Sequence, residues 1–596
     1  MTPSQNFTHQ SAAYNVLALW KIPVWDNGSW RNTYHRFAYG RSVAVHGIGA
    51  PYDGVYAGLI TAISPIRYSV ESQILAGGGL VAPSVSFTLS RKTAGGTDET
   101  LDAMQSLGKA RSLGIMSSVK IFLTPRGTQF DDERDLEFLG YVAAPVEITR
   151  NEIRVAVSDP LSFSTKEIPS AKFSESEQIE SGRRGQPIPI IYGDFSAAGD
   201  QFTVPAICTD IFGYYSKSFR LCLPNDHGIS HVGSCLKWVF GEGGGDPGYT
   251  LLTTKLVNLA KATFLAELSD DFISTSKHRY HETDRFYIDY CAGNVNASGK
   301  LLQGPLDVLK DLLFGTSYLN LPHEYFDMDS FDMDYFVSED AAKVKRVLTK
   351  PADIRKLLSD LLTNFGLIMA YSKGKFFLHR VCWHESAQPE SPDVMIIRPL
   401  TYETDFSVSI GRQGWNVHSI SVRCNESPLD GRLREETTRS DETDSGVPES
   451  HSLDAPWVGN NRWASQLAAD ILATRTVHPV LVNAALPLLG LDDRLGILGW
   501  IKCEESMNDS GQILRPLGMA DRAFQIIEYE RDPVKGEGRI TALNLGNPFG
   551  SNIWTTDNAP DFEQAAEAQK EVLGFWTDDD GFCRSGDPTS NKSHWL

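Results

Sequence analysis

Two spacings of hydrophobic residues divide this chain. In its first quarter apolar positions recur every second residue. "SVSFTLS" sets Val85, Phe87 and Leu89 on one face, "SVKIFLT" does the same with Val119, Ile121 and Leu123, and "NEIRVAVSD" with Ile153, Val155 and Val157. A period of two is that of a half-buried strand. "LEFLGYVAAPVEIT" extends the pattern, and Asn151 sits where a hairpin would turn back into the last strand. Short strands joined by Gly and Pro turns predict a closed or nearly closed antiparallel barrel over residues 1–166. The run Thr97–Met116, with Leu101, Met104 and Leu107 on one side, predicts a helical insertion between two of its strands.

The stretch "GRRGQPIPIIYGDF" then breaks the alternation. Pro187 and Pro189 each remove a backbone donor and fix φ, which excludes a helix interior or a central strand. An extended or edge segment is predicted, entering a new module through a turn at Gly193-Asp194. That module, residues 167–340, reads as α/β. It holds strand-like pieces ("FRLCLP", "DRFYIDYCAG") and one helix opened by Pro305 and closed at Gly315, with Leu306, Leu309, Leu312 and Leu313 on its apolar face.

Helical spacing is plainest in residues 341–400. After Pro351, Ile354, Leu357, Leu358, Leu361, Leu362 and Phe365 form an i, i+3, i+4, i+7 stripe, and Gly366 is placed to cap it. "LIMAY", a Ser372-Lys373-Gly374 turn and "KFFLHR" complete a helix-then-hairpin unit. Residues 401–549 return to strands ("PVLVNAALPLL", "RLGILGWIKC", "AFQIIEYERD", "RITALNLG") and predict a second barrel-like module, its last two strands joined across "DPVKGEG". Within it a helix is predicted from about Arg462, carrying Trp463, Leu467, Ile471 and Leu472. Between Leu429 and Trp457 the only large aliphatics are Leu433, Val447 and Leu453, so a mobile loop is expected over 425–460. Residues 550–596 hold a short helix and then Phe575, Trp576, Phe582 and Trp595 with little aliphatic core, which predicts a docking tail built on those aromatics.

With 596 residues the chain exceeds what one core supports, and about three or four domains are expected. No apolar run long enough to span a bilayer occurs, so no stable membrane insertion is expected, and the N-terminus lacks the basic and apolar regions of a secretory signal. The eight cysteines show no CxxC pair, which reads as reduced thiols without a metal or redox motif. A net charge of -20 argues against wrapping DNA, although a surface that DNA must pass without sticking would also be acidic.

Catalytic signatures are lacking. "GISHVGS" breaks the GxSxG spacing, the "GEGGGDPG" loop has no phosphate-binding lysine, and neither His323-Glu324 nor His384-Glu385 extends to HExxH. His278 and His281 stand three apart with no third metal ligand suggested nearby. Asp327, Asp329, Asp332 and Asp334 alternate with apolar residues in "DMDSFDMD". They lack the central Gly and distal Glu of a Ca²⁺ loop, and serve an acidic turn better than a paired-carboxylate glycosidase site. The expectation is therefore no enzyme, no cofactor and no metal site.

Taken in order, "LEFLGYVAAP…VSDPLSFS", "GQPIPIIYGDF", "KPADIRKLLSDLLTNFGLIMAYSKGKFFLHR", "LGLDDRLGILGWIKC" and "IIEYERDPVKGEGRITALNLG" resemble the tail proteins of bacteriophages, in particular the baseplate or tail-tip hub. The resemblance spans about Arg36 to Gly546. It implies an α+β, mainly β chain with two barrels related to the tail-tube fold and smaller α/β modules between them. It implies a homotrimer whose paired barrels give a pseudo-sixfold ring matching a hexameric tube. The implied partners are distal tail or tube proteins, the tape-measure protein, and tip or fibre proteins, with transient passage of DNA and no sequence-specific binding. The implied location is the virion's tail tip, after synthesis in the host bacterial cytoplasm. A receptor-binding or glycan-degrading tail protein is the alternative, the latter using Asp327 to Asp334.

Overall fold

The computed structural model describes residues 14–69, 79–81, 83–91, 102–112, 115–142, 146–163, 167–173, 185–195, 204–211, 216–239, 248–267, 285–288, 290–332, 342–380, 396–400, 406–410, 418–428, 431–440, 450–476, 480–487, 498–503, 506–507, 513–514, 522–535, 537–544, 574–575 and 593–594. Strands dominate, and the chain divides into two compact units. One is 11–381 with 417–472; the other is 1–10, 382–416 and 473–596. Among the described residues no helix is long and apolar enough to cross a membrane.

In the first unit, Tyr14–Asp26, Ser29–Tyr39, Gly54–Ile63, Val85–Ser90, Glu152–Ser158, Leu136–Val142 and Ser118–Pro125 pair in that order, and the last returns to the first. Seven strands thus close into a barrel, antiparallel except where Ser29–Tyr39 runs parallel to Gly54–Ile63. The alternating residues fill it: Val85, Phe87, Leu89, Val119, Ile121, Ile153, Val155 and Val157 are all buried, around Trp20. Phe122, on the opposite face, is buried as well, because Tyr52 and Phe130 cover it from outside the barrel. The first two strands run on past the barrel as a hairpin. Its pairing extends to Asp26↔Ser29, whereas the neighbouring strand stops at Lys21↔Ser118. Asn27 and Gly28, both with positive φ, turn the tip. Trp25 and Trp30 pack edge-to-face there, and Lys109 of the short helix Leu107–Ser112 stands over Trp25.

The Pro-rich arm is extended and its backbone is spoken for. The Phe173 and Ile188 amides donate to Gln186 and Ala171, the Leu223 amide donates to the Pro189 carbonyl, and Ile190–Tyr192 pairs with Arg346–Leu348. The prolines fall at positions whose missing donors the ladder does not need. Beyond the arm, the module expected to be α/β differs. Val204–Ile211, Ser216–Arg220, Thr263–Glu267, Gly248–Asn258, Cys235–Val239 and Arg285–Ile288 close a second, six-stranded antiparallel barrel. Phe219, Phe264 and Phe286 meet in its core. The helix Pro305–Phe314 is present as expected. Cys222, Cys235, Cys291 and Cys424 are buried thiols outside any disulfide.

The helix-then-hairpin unit forms as Ile354–Asn364, Leu367–Ser372 and Lys375–Arg380. Asp353 caps the helix, accepting from the Arg355 and Lys356 amides, so it begins just after Pro351. Residues Gly79–Val81 add a parallel third strand that no local pattern announces.

The expected mobile loop over 425–460 is corrected. Leu433–Ser440 and Ser450–Ala455 flank Ser419–Glu426 as a three-stranded sheet within the first unit. Low aliphatic content misled the expectation because this edge is held by its backbone ladder and by the anchors behind it. Trp457 donates its backbone amide to Asn364 Oδ1 (3.1 Å), Trp463 Nε1 donates to the Asn364 carbonyl (2.9 Å), and Trp463 stacks on Phe365. The helix Asn461–Thr476 starts where Arg462 predicted.

In the second unit, Ile396–Leu400, Leu498–Cys503, Arg522–Asp532, Glu537–Asn544, Val480–Pro487 and Phe406–Ile410 lie side by side in that order. The hairpin predicted at "DPVKGEG" is present, with Asp532 Oδ1 accepting from the Val534 and Lys535 amides.

Candidate functional site

Within the first unit a half-open cleft of about 400 Å³ gathers residues that lie far apart in sequence. Asp194 reaches it from the turn that ends the arm, Gln303 from just before the helix Pro305–Phe314, and Lys343, Val344 and Lys345 from the run leading into Arg346–Leu348. Asn425 and Glu435 come from paired strands, and Gly459, Asn460 and Asn461 from the start of the helix Asn461–Thr476. The backbone explains the convergence. Val344 N donates to the Gln303 carbonyl (2.7 Å), Lys345 N to that of Trp457 (3.1 Å), and Gly459 N to that of Lys343 (2.8 Å). The run 343–345 is thus held from both sides through Val344 N, Lys345 N and the Lys343 carbonyl. Gly193 makes the arm's close approach possible. Its φ is +86°, and a Cβ there would overlap the Val344 carbonyl.

The polar atoms of this cleft are only partly used. Asn425 is 2% exposed and has a left-handed φ of 58°. Its amide nitrogen donates to Glu435 Oε1 at 2.6 Å. That contact fixes which end of the amide is which, and the buried Oδ1 is left without a hydrogen-bond partner. The Asn460 oxygen caps its helix by accepting from Trp463 N (2.9 Å), and the Asn461 oxygen accepts from Thr437 (3.2 Å). Their Nδ2 groups, and the whole side-chain amide of Gln303, have no partner among the described residues. One residue along from Asn425 and Lys345, Glu426 pairs with Arg346, whose guanidinium faces Trp457. Burial pulls Arg346 below the ordinary arginine range and pushes Glu426 above the ordinary glutamate range. Each effect is partly offset by the other's charge.

A second polar cluster anchors the arm itself. Tyr192 Oη donates to Asp311 Oδ2 (2.8 Å) and Asn225 Nδ2 to Asp311 Oδ1 (3.0 Å); Asn294 Oδ1 accepts from Asn225 N, and Asn294 Nδ2 donates to Tyr318 Oη (2.7 Å). Burial raises the Asp311 carboxyl above its ordinary value, while the donors from Tyr192 and Asn225 pull it back. The cluster ties the Tyr-Gly-Asp turn to the helix Pro305–Phe314 and the turn at Asn225.

The acidic run singled out in the sequence serves structure. Asp327 precedes the one-turn helix Met328–Phe331, its amide donates to the Phe376 carbonyl, and Asp332 is bound to Lys310 Nζ at 2.7 Å. Between them Phe326 and Phe331 pack with Phe314 and Phe376. Asp334 lies outside the described residues, as do His278 and His281. Among the described residues no group of three or more His, Cys, Asp or Glu could hold a metal ion. Of the tail aromatics, Phe575 lies in a two-residue strand paired with Ser593–His594; its side chain, and Trp576, Phe582 and Trp595, lie outside the described residues.

The cleft had no sequence signature. Its residues come from six separate segments, and Lys343–Lys345 follows the acidic pair Glu339-Asp340. Only the positive-φ Asn425 and the helix-capping Asn460 carry local signals. No nucleophile stands among its lining residues: they comprise two carboxylates, two ammonium groups, four carboxamides, Val344 and Gly459.

No protein-family model matches the chain, and no curated protein matches it in sequence. Among solved structures it is similar to a chain in the virion of a native gene transfer agent particle (12% identity, TM-score 0.35, covering 63% of this chain and 88% of that one). It is also similar to a tail protein from Neisseria meningitidis MC58 (9%, TM-score 0.32, 89% and 96%). A third is the 43 kDa tail protein of prophage MuSo2 from Shewanella oneidensis (8%, TM-score 0.31, 90% and 98%). TM-scores this far below 0.5 carry no argument about role.

Proposed function

We propose that the chain is a structural protein of a phage tail: a trimeric baseplate or tail-tip hub that ends the tube, seats tip or fibre proteins and lets DNA pass. One observation carries the reading. Besides the six-stranded barrel of residues 204–288, a single polypeptide holds two sheets far apart in sequence, the closed barrel of residues 14–158 and the sheet of residues 396–544. If these two, and not the barrel of residues 204–288, face the tube, three copies of the chain present six sheets to its sixfold symmetry. The ordered motifs from Arg36 to Gly546 and the net charge of -20, which suits a lumen that does not retain DNA, agree with it. The arm "GQPIPIIYGDF" then acts as a stiff connector: its prolines lower the entropy lost on ordering, and Tyr192 bolts it to the next module. Catalysis has no part in this reading; of the carboxylates that suggested it, Asp332 binds Lys310.

Electron microscopy of the assembled particle tests the proposal. Density for this chain as three copies around the channel at the distal end of the tube is expected; density in the capsid or a fibre shaft would reject it. Light scattering on the isolated chain should report a trimer, or a monomer that trimerises when tube protein is added.

A further inference from the structure

We propose that the cleft between the arm turn, the run Lys343–Lys345 and the start of the helix Asn461–Thr476 binds a neutral saccharide of one or two hexose units. The inference goes beyond the hub reading and does not depend on it. The volume, about 400 Å³, lies at the lower end of the range of small-ligand sites. What remains unpaired there among the described residues is a set of amide donors, from Gln303, Asn460 and Asn461, beside two acceptors, Gln303 Oε1 and the buried Asn425 Oδ1. A ligand that satisfies both must offer many acceptors and at least one donor in a small space. Sugar hydroxyls do this, each donating once and accepting twice.

The other ligand classes fit less well. Asp194 and Glu435 offset Lys343 and Lys345, so the cleft has no net formal charge with which to hold an anion or a polyanion. Val344 N, Lys345 N, Gly459 N and the Lys343 carbonyl are already hydrogen-bonded, so an extended peptide would not find a continuous free strand edge there. Val344, the one aliphatic residue in the lining, is 1% exposed, so a peptide side chain would find no apolar anchor. A saccharide needs neither. It would bridge Gln303 to Asn460 and Asn461, with one hydroxyl donating to Asn425 Oδ1 after a small side-chain adjustment.

The test uses the full chain and saturation-transfer NMR, followed by calorimetry, with methyl glucoside, methyl galactoside and methyl N-acetylglucosaminide as probes and inorganic phosphate as the anionic arm. At least one glycoside is expected to bind saturably in roughly the millimolar range. Binding should weaken roughly tenfold in Gln303→Ala and in Asn461→Ala, while the melting temperature of Gln303→Ala and the binding of phosphate by both stay unchanged. Asp332→Asn, at the acidic turn, should bind as the parent does. Absence of saturable binding by all three glycosides, binding that survives both substitutions, or phosphate binding tighter than every glycoside would overturn the proposal. Should Asn461→Ala unfold, Gln303→Ala decides alone, because its side chain has no hydrogen-bond partner among the described residues.

Discussion

Two polar clusters lie within one unit, joined by the turn Tyr192-Gly193-Asp194, and they differ in how fully they are satisfied. Around Asp311, both carboxylate oxygens accept, and Asn225 and Asn294 bond through both ends of their side chains. Around Asn425, one buried acceptor and the less buried amide donors of Gln303, Asn460 and Asn461 have no partner among the described residues. Burying a polar group costs little when it is paired and roughly 1–3 kcal/mol when it is not. A saturated cluster therefore rigidifies the fold, and an unsaturated one keeps binding capacity for something else. Substitutions on the Asp311 side should change stability, and those on the Asn425 side should change recognition.

The largest effect is expected at the hinge of this comparison. Gly193→Ala would force a Cβ into the Val344 carbonyl at a φ that disfavours side chains. It should destabilise the first unit by about 4 kcal/mol or more, read from denaturant unfolding followed by tryptophan fluorescence. Next, Asp311→Ala strands the Tyr192 hydroxyl and one Asn225 bond in the interior. A loss of about 2–3 kcal/mol is expected by the same measurement, against about 1 kcal/mol for Tyr192→Phe. If both losses were negligible, the saturated cluster would not be the anchor described here.

The pH dependence is smaller but diagnostic. Burial is the main cause that raises Asp311 above its ordinary value of 3.8. An acid whose folded pKa is raised binds its proton more tightly when folded. Its stabilising contribution is full below the unfolded value and lost as pH rises through the folded one. Asp311→Asn cannot titrate. The stability of the parent relative to this variant should therefore fall as pH rises above about 4, measured by urea midpoints, and a flat difference would deny the carboxyl its buried state. The smallest effect is expected in the cleft: Gln303→Ala should change stability by no more than about 0.5 kcal/mol. A large loss there would mean that the cleft is another structural cluster.

Much of the architecture was legible because its causes are local. Val85, Phe87 and Leu89 face the barrel interior, Ile354 to Phe365 form a buried helical stripe, and the turn at Lys373-Gly374 has the positive φ values such a hairpin needs. Where the cause is remote, the pattern failed. Leu433–Ser440 reads as disordered because its support is the ladder to Ser419–Glu426 and the anchoring of Trp457 and Trp463 on Asn364, nearly a hundred residues away. The six-stranded barrel was read as α/β because its strands are short and broken by Gly-rich segments, and closure is a property of pairings between them.

The amino-acid sequence by itself determined where strands and helices begin, which faces turn inward, and that the arm would be stiff and extended. These follow from side-chain period, proline geometry and capping, all of which act within a few residues. Only the tertiary structure decided which strands close into rings, that residues 417–472 belong with the first unit, and that six distant segments leave an unsatisfied polar cleft. Hydrogen bonds between distant backbones and the pairing of buried polar atoms are set by position in space, and position in space has no local code.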